Sequence, residues 1–316
     1  MKEKNKLLND HNIGALSAFG AYAMWGMLPI YWKFLGHVPS LEVLAHRIVW
    51  SFVFVVTLLI TTGTIGGFFT ELYTIISQKL KLLAITAASI IITLNWYTYI
   101  WAVANSHIVE TSLGYYINPL VSVILGIVFL KERLSPWQIV SFVIATIGVL
   151  NMVFHFGAVP WIALTLAVTF AVYGLLKKVA NVGAISGIAL ETFIISPIAL
   201  SYIIFLHAHG HGSIFAISPM TTGLLVGSGV ITAIPLILFA NGANRLPLYM
   251  VGFLQYISPT LMLIIGVFLY HEPFSAVHLT SFALIWIALA IFSLAKTPLF
   301  LHYENILLGK RKKKTS

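Results

Sequence analysis

Ten apolar stretches, each near the roughly 20 residues a helix needs to cross hydrocarbon, follow one another along this 316-residue chain. They cover residues 14–32, 44–62, 82–103, 113–130 and 137–154, then 158–176, 187–206, 222–240, 248–269 and 277–294. In lipid a backbone amide finds no water, so each stretch must satisfy its own amides within a helix. Charged residues make up only 9% of the chain, against about 25% in a soluble domain. That is too little charge to cover a water-facing surface, and soluble folds are excluded. The expected fold class is therefore an all-α integral membrane protein with ten transmembrane helices.

The formal net charge of +9 sits in short clusters between apolar runs, with no basic face interleaved with aromatics. No nucleic-acid partner is expected. The absence of cysteine rules out disulfides, thiolate catalysis and cysteine-ligated metals. Lys2-Glu3-Lys4-Asn5-Lys6 and the small-residue pattern Ala21-Tyr22-Ala23 imitate a secretory leader. The apolar run nevertheless continues through Trp25 and Pro29 to Trp32, which reads as an uncleaved first span.

Placing the N-terminus in the cytoplasm and alternating the loops puts 16 of the 18 Lys and Arg residues inside. Only Lys33 and Arg47 fall outside. Losing one span would scramble this bias, so an even number of spans with both termini cytoplasmic is expected. The basic tail Lys310-Arg311-Lys312-Lys313-Lys314 reads first as part of the same bias, with an anionic-lipid or partner site as the alternative.

Shifted by 140 positions, the chain matches itself. Tyr116 meets Tyr256, Pro119 meets Pro259, Gly126 meets Gly266, Glu132 meets Glu272 and Ser141-Phe142 meets Ser281-Phe282. A looser match joins Trp25-Gly26 to Tyr173-Gly174. The expectation is two halves, residues 1–155 and 156–316, of five spans each. Because five is odd, the second half enters the membrane from the opposite side. Such inverted-topology repeats build alternating-access transporters, with the site near the midplane between the halves.

Several motifs are long enough to be specific. They read Trp-Gly-Met-Leu-Pro-Ile-Tyr-Trp-Lys at 25–33, Leu-Glu-Val-Leu-Ala-His-Arg-Ile-Val-Trp at 41–50 and Glu-Thr-Ser-Leu-Gly-Tyr-Tyr-Ile-Asn-Pro at 110–119. Phe-Leu-Lys-Glu-Arg-Leu-Ser at 129–135 and Gly-Phe-Leu-Gln-Tyr-Ile-Ser-Pro-Thr at 252–260 complete the set. With them the chain resembles RarD-type proteins, a branch of the EamA group in the drug/metabolite transporter superfamily. The resemblance runs over nearly the whole length. It implies a ten-helix permease of the bacterial cytoplasmic membrane that moves a small metabolite or drug-like molecule, in a family whose name is tied to chloramphenicol sensitivity.

Arg47 is the costliest residue, a cation a few positions inside the second span. At full depth such a charge costs about 2.5–3.5 kcal/mol, which makes it a binding candidate, with snorkelling to the outer interface as the bland alternative. Glu42 and His46, four apart, share a helical face and could exchange a proton, or could simply start the helix. A proton gradient is the simplest energy source, with this pair as candidates; uniport and exchange would leave the same sequence. In the third span Asn95 needs a partner, and Trp101 either stacks on cargo or belongs to the interfacial belt. Trp25 carries the same ambiguity.

Gly114, Asn118, Ser122 and Gly126 form a stripe of small or polar residues, read as packing except for Asn118, which precedes Pro119. Pro119 and Pro259 each remove an amide donor at membrane depth and are expected to break their helices, as gates or hinges. Gln255 and Tyr256 beside Pro259 join the candidate site. Glu191 is expected to be solvated near the inner surface, and Glu132 and Glu272 to be loop residues. His207, His209 and His211 alternate in a loop without a nearby carboxylate, so no metal is expected. No Walker A, HExxH, GxSxG or EF-hand pattern occurs, so no cofactor is expected and the chain has no motif for driving transport with ATP. The partners expected are a small-molecule substrate, possible coupling protons and the lipid bilayer. Export and uptake are not distinguished. A membrane-embedded enzyme or sensor would need a cluster of acid–base or metal residues, and the sequence has none.

Overall fold

Where the apolar runs end, the chain turns on residues suited to it. Lys131 and Asn181 take left-handed conformations that close two helices, and Ser218 caps another by accepting from the Thr221 amide at 3.0 Å ahead of Pro219. In the computed structural model the described residues are 2–131, 133–155, 160–246, 248–271, 274–295, 297 and 300. They form α1 (Lys2–Phe34), α2 (Ser40–Thr61), α3 (Ile65–Ser77), α4 (Lys79–Ala104), α5 (Ile108–Leu130) and α6 (Pro136–His155). Then come α7 (Trp161–Ala180), α8 (Ala184–Ala208), α9 (Pro219–Arg245), α10 (Leu248–Leu254), α11 (Ile257–Ile264), a π-helical turn (Ile265–Leu269) and α12 (Ala276–Leu294).

Among the described residues nine helical segments are long and apolar enough to cross a membrane, and the chain is a multi-pass, all-helical membrane protein. The tenth expected span coincides with α12, whose apolar stretch Ala276–Phe292 is shorter. Glu132, Glu272 and the basic tail lie outside the described residues.

One departure from the sequence reading has a local cause. Residues 65–77, read as loop, form α3. The stretch is too short to span, so a reading keyed to span length passes over it. Its Glu71 accepts the Gly183 amide at 2.5 Å, tying α3 to the turn after α7. The ninth stretch is broken at Gln255–Tyr256, the break expected of Pro259. Pro259 has no amide to give the Gln255 carbonyl and its ring crowds that carbonyl, which takes the Ser258 amide at 3.1 Å instead. Pro119 breaks nothing, since α5 runs through it without interruption.

The helices pair extensively as α4 with α7, α1 with α9, α5 with α7, α1 with α11, α2 with α8 and with α9, and α6 with α12. Across the last pair the Ser141 hydroxyl donates to the Ala288 carbonyl at 2.5 Å, while a Cβ on Gly148 would stand 2.9 Å from the Ser281 carbonyl oxygen. Ser141 and Ser281, like Gly148 and Ala288, are 140 residues apart. The Tyr116 and Tyr256 rings, also 140 apart, meet at 5.9 Å between α5 and the α10–α11 break.

Candidate functional site

Arg47 lies seven residues into α2, about 10 Å along its axis at 1.5 Å per residue. It does not snorkel. The side chain is 3% exposed, its guanidinium 5.0 Å from the Trp32 ring centre and 4.3 Å from that of Trp96. No carboxylate comes within ion-pair distance of it among the described residues, and its Nε and Nη1 have no hydrogen-bond partner.

Arg47 forms part of the wall of a cavity enclosing about 440 Å³ of empty space, open mouth included. Helix α1 contributes Tyr22, Trp25 and Leu28; α4 contributes Asn95, Trp96 and Tyr99; Tyr115 comes from α5 and Phe170 from α7. Gln255 at the α10–α11 break, with Ser258 and Met262 of α11, closes it. Residues from both expected halves thus line one space. The break at Gln255 places a side-chain amide at its edge, and the Gln255 Nε2 is buried without a partner. The Tyr22 and Tyr99 hydroxyls are likewise buried and unpartnered. Trp25, Phe170 and Phe239 pack against one another at 5.4 to 5.8 Å beside the cavity.

Of the residues singled out in sequence, Arg47, Trp25, Asn95 and Gln255 come together here. The amide nitrogen of Asn95 donates to the Leu166 carbonyl at 3.1 Å and to the Thr169 hydroxyl at 2.8 Å, holding α4 on α7. The rest lie elsewhere. The Glu42 carboxylate accepts the Ser213 amide at 2.6 Å and the Ser213 hydroxyl at 2.8 Å, and His46 Nε2 stands 3.8 Å from it, beyond hydrogen-bond reach. Asn118 donates to the Ala167 carbonyl at 2.7 Å, one turn from Gly114, where a Cβ would meet the Ala163 carbonyl at 2.8 Å. Trp101 stacks on His107 at 5.7 Å near the end of α4, away from the cavity. Tyr256, Pro119 and Pro259 are buried but do not line the cavity.

Glu191 is not solvated as expected. It is 3% exposed, receiving the Tyr173 hydroxyl at 3.0 Å and the Lys177 ammonium at 2.7 Å, because the last turn of α7 carries that lysine across to α8. Among the described residues no group of three histidines or carboxylates could hold a metal ion.

Tyr22, Leu28, Tyr99, Tyr115, Phe170 and Met262 were missed as lining residues. For two of them a signal was present: Tyr22 is three residues from Trp25 and Tyr99 four from Asn95, hence on the same helical faces. The others sit among similar apolar residues, and nothing in sequence marks one as facing a cavity.

The family model for the EamA-like transporter family matches residues 12–154. The chain is 47% identical to "Uncharacterized transporter YojE" of Bacillus subtilis over 291 residues, covering 90% of this chain and 94% of that protein. It is 42% identical to "Protein RarD" of Escherichia coli, covering 88% and 93%. A relative in Pseudomonas aeruginosa, 30% identical over 88% of this chain and 92% of its own, is named "Chloramphenicol-sensitive protein RarD". One solved crystal structure shares the fold with a TM-score of 0.63, covering 89% of this chain and 97% of its own at 19% identity.

Proposed function

The chain belongs to the RarD-type branch of the EamA-like transporter family, and from that premise we propose that the Arg47 cavity is the binding site of a secondary permease working by alternating access. The observation that carries the reading is a buried, unpaired cation in a space lined by residues of both halves.

Ten spans in two inverted halves of the bacterial cytoplasmic membrane, with both termini inside, complete the proposal. The helix pairing supports it. Exchanging each helix for its counterpart 140 or so residues away turns α4 on α7 into α9 on α1, and α5 on α7 into α11 on α1. The pairs α2 with α8 and α6 with α12 map onto themselves. A two-fold relation between the halves predicts those pairs, while α2 on α9 becomes α8 on α4, which touch less extensively. Rocking one half against the other about the α5–α11 and α6–α12 contacts would open the cavity to either side.

Reconstitution into liposomes tests this. Substrate-dependent flux that Arg47→Gln abolishes is the expected result, and imposed pH steps in the same vesicles read direction and driving ion. A panel of metabolites and drugs that yields no flux in either direction would overturn it.

A further inference from the structure

We propose that the cavity selects organic monocarboxylates with a flat apolar body and no amine, such as an aromatic acetate or an aromatic 2-oxo acid. The proposal rests on the cavity being the permease's site and names the cargo of that site.

The lining is complementary to such a ligand. Arg47 Nε and Nη1 and Gln255 Nε2 can only donate hydrogen bonds, and all three are buried without partners. The Tyr22 and Tyr99 hydroxyls add two more groups able to donate. Each unsatisfied buried donor carries a desolvation cost, so the cavity stands ready for a ligand rich in acceptors. Among the described residues Arg47 is the one cation in the lining, and no carboxylate lines it. A single negative charge therefore brings the site to neutrality, whereas a dianion leaves a net buried charge. A planar carboxylate also fits the guanidinium fork.

The same inventory rejects an amine. The buried carboxylates among the described residues are already committed: Glu42 to Ser213, Glu110 to the Ile162 amide at 3.1 Å and Glu191 to Lys177. An ammonium would enter a space that already holds the Arg47 charge and offers no anion to offset it. The rings of Trp25, Tyr99, Tyr115 and Phe170 supply an apolar wall, with Tyr99 and Tyr115 edge-on to each other at 5.8 Å. Ring bodies stack well on such a surface.

The test is calorimetric titration of the purified full-length chain in detergent with four molecules sharing one ring: phenylacetate, 2-phenylacetamide, phenethylamine and L-phenylalanine. Phenylacetate is expected to bind at least about tenfold more tightly than the amide, since hydrogen bonds to a charged group exceed neutral ones by that order. The amine and the zwitterion are expected to bind no better than the amide. Arg47→Gln should erase the preference for phenylacetate while raising the melting temperature, because it removes an uncompensated buried charge. Gln255→Leu, which leaves the charge in place, should weaken phenylacetate about tenfold. Equal binding of all four molecules, or unchanged phenylacetate affinity in both variants, overturns the proposal. Carboxylate binding without flux in liposomes sinks the permease reading and leaves this site standing. Flux of another solute with no carboxylate binding does the reverse.

Discussion

The Arg47 guanidinium lies 4.3 Å from the centre of the Trp96 ring, face-on to the strongest π-surface a protein can offer a cation. With a second ring, Trp32, at 5.0 Å, the charge is held by two indoles in place of a carboxylate. Aromatic faces offset part of the desolvation cost without neutralising the charge, so it remains available to a ligand.

A double-mutant cycle checks this contact. Trp96→Leu is expected to cost about 1–2 kcal/mol through the lost cation–π interaction, in addition to lost packing. In the Arg47→Leu background the same change should cost less by that amount. Thermal melts of the four proteins in detergent supply the coupling energy, and a value near zero would remove the indole from the role assigned to it.

Glu42 is predicted to hold the loop between α8 and α9 rather than move protons. Glu42→Gln should lower stability by about 1.5–3 kcal/mol, because one of two charge-assisted bonds to Ser213 is lost and an amide then faces a donor. Hydrogen exchange should quicken at 211–215. The dependence of transport on an imposed pH step should stay as in the wild type; a flattened dependence would return Glu42 and His46 to the coupling role.

The two prolines should behave differently despite their equivalent positions. Pro259→Ala restores an amide that can reach the Gln255 carbonyl, favouring one continuous helix that would carry the Gln255 side chain off the cavity. Substrate affinity should fall several-fold with stability kept or improved. Pro119→Ala, in a helix already continuous, should leave affinity within twofold. Flux assays and melts on both variants decide it.

Close helix contact makes its own prediction at Gly229. A Cβ there would stand 2.2 Å from the Trp50 carbonyl carbon, and backbone cannot yield as a side chain tip would. Gly229→Ala should separate α2 from α9 and abolish folded yield on size-exclusion chromatography. Gly174→Ala, with nothing within 4 Å of the new atom, is the matched control and should purify normally.

The Lys177–Glu191 pair, at 2.7 Å and largely buried, should show the asymmetry of such pairs. Lys177→Met leaves Glu191 unpaired and is expected to cost about 2–4 kcal/mol, somewhat less than for a fully buried pair because Lys177 keeps a partial route to water. The double variant Lys177→Met, Glu191→Gln should recover most of the loss. Melting temperatures of the single and double variants check the recovery.

The class of molecule was legible in the sequence because it depends on sums along the chain: apolar runs near span length and a charge fraction too low for a water-facing surface. Arg47, Trp25, Asn95 and Gln255 were legible as site candidates because a polar or amphipathic group at membrane depth is conspicuous against its neighbours. What those groups touch was not legible. Asn118 and Asn95 look alike in sequence, yet Asn118 is spent on the Ala167 carbonyl while Asn95 also borders the cavity. Glu191 and Glu42 resemble free carboxylates until α7 supplies Lys177 and the α8–α9 loop supplies Ser213. Hydropathy and charge are properties of a residue and its near neighbours in the chain, so sequence determines them. A hydrogen-bond partner, a stacked ring or an unfilled cavity belongs to helices far apart in sequence, and only their packing decided which polar groups were satisfied and left Arg47 without a counterion among the described residues.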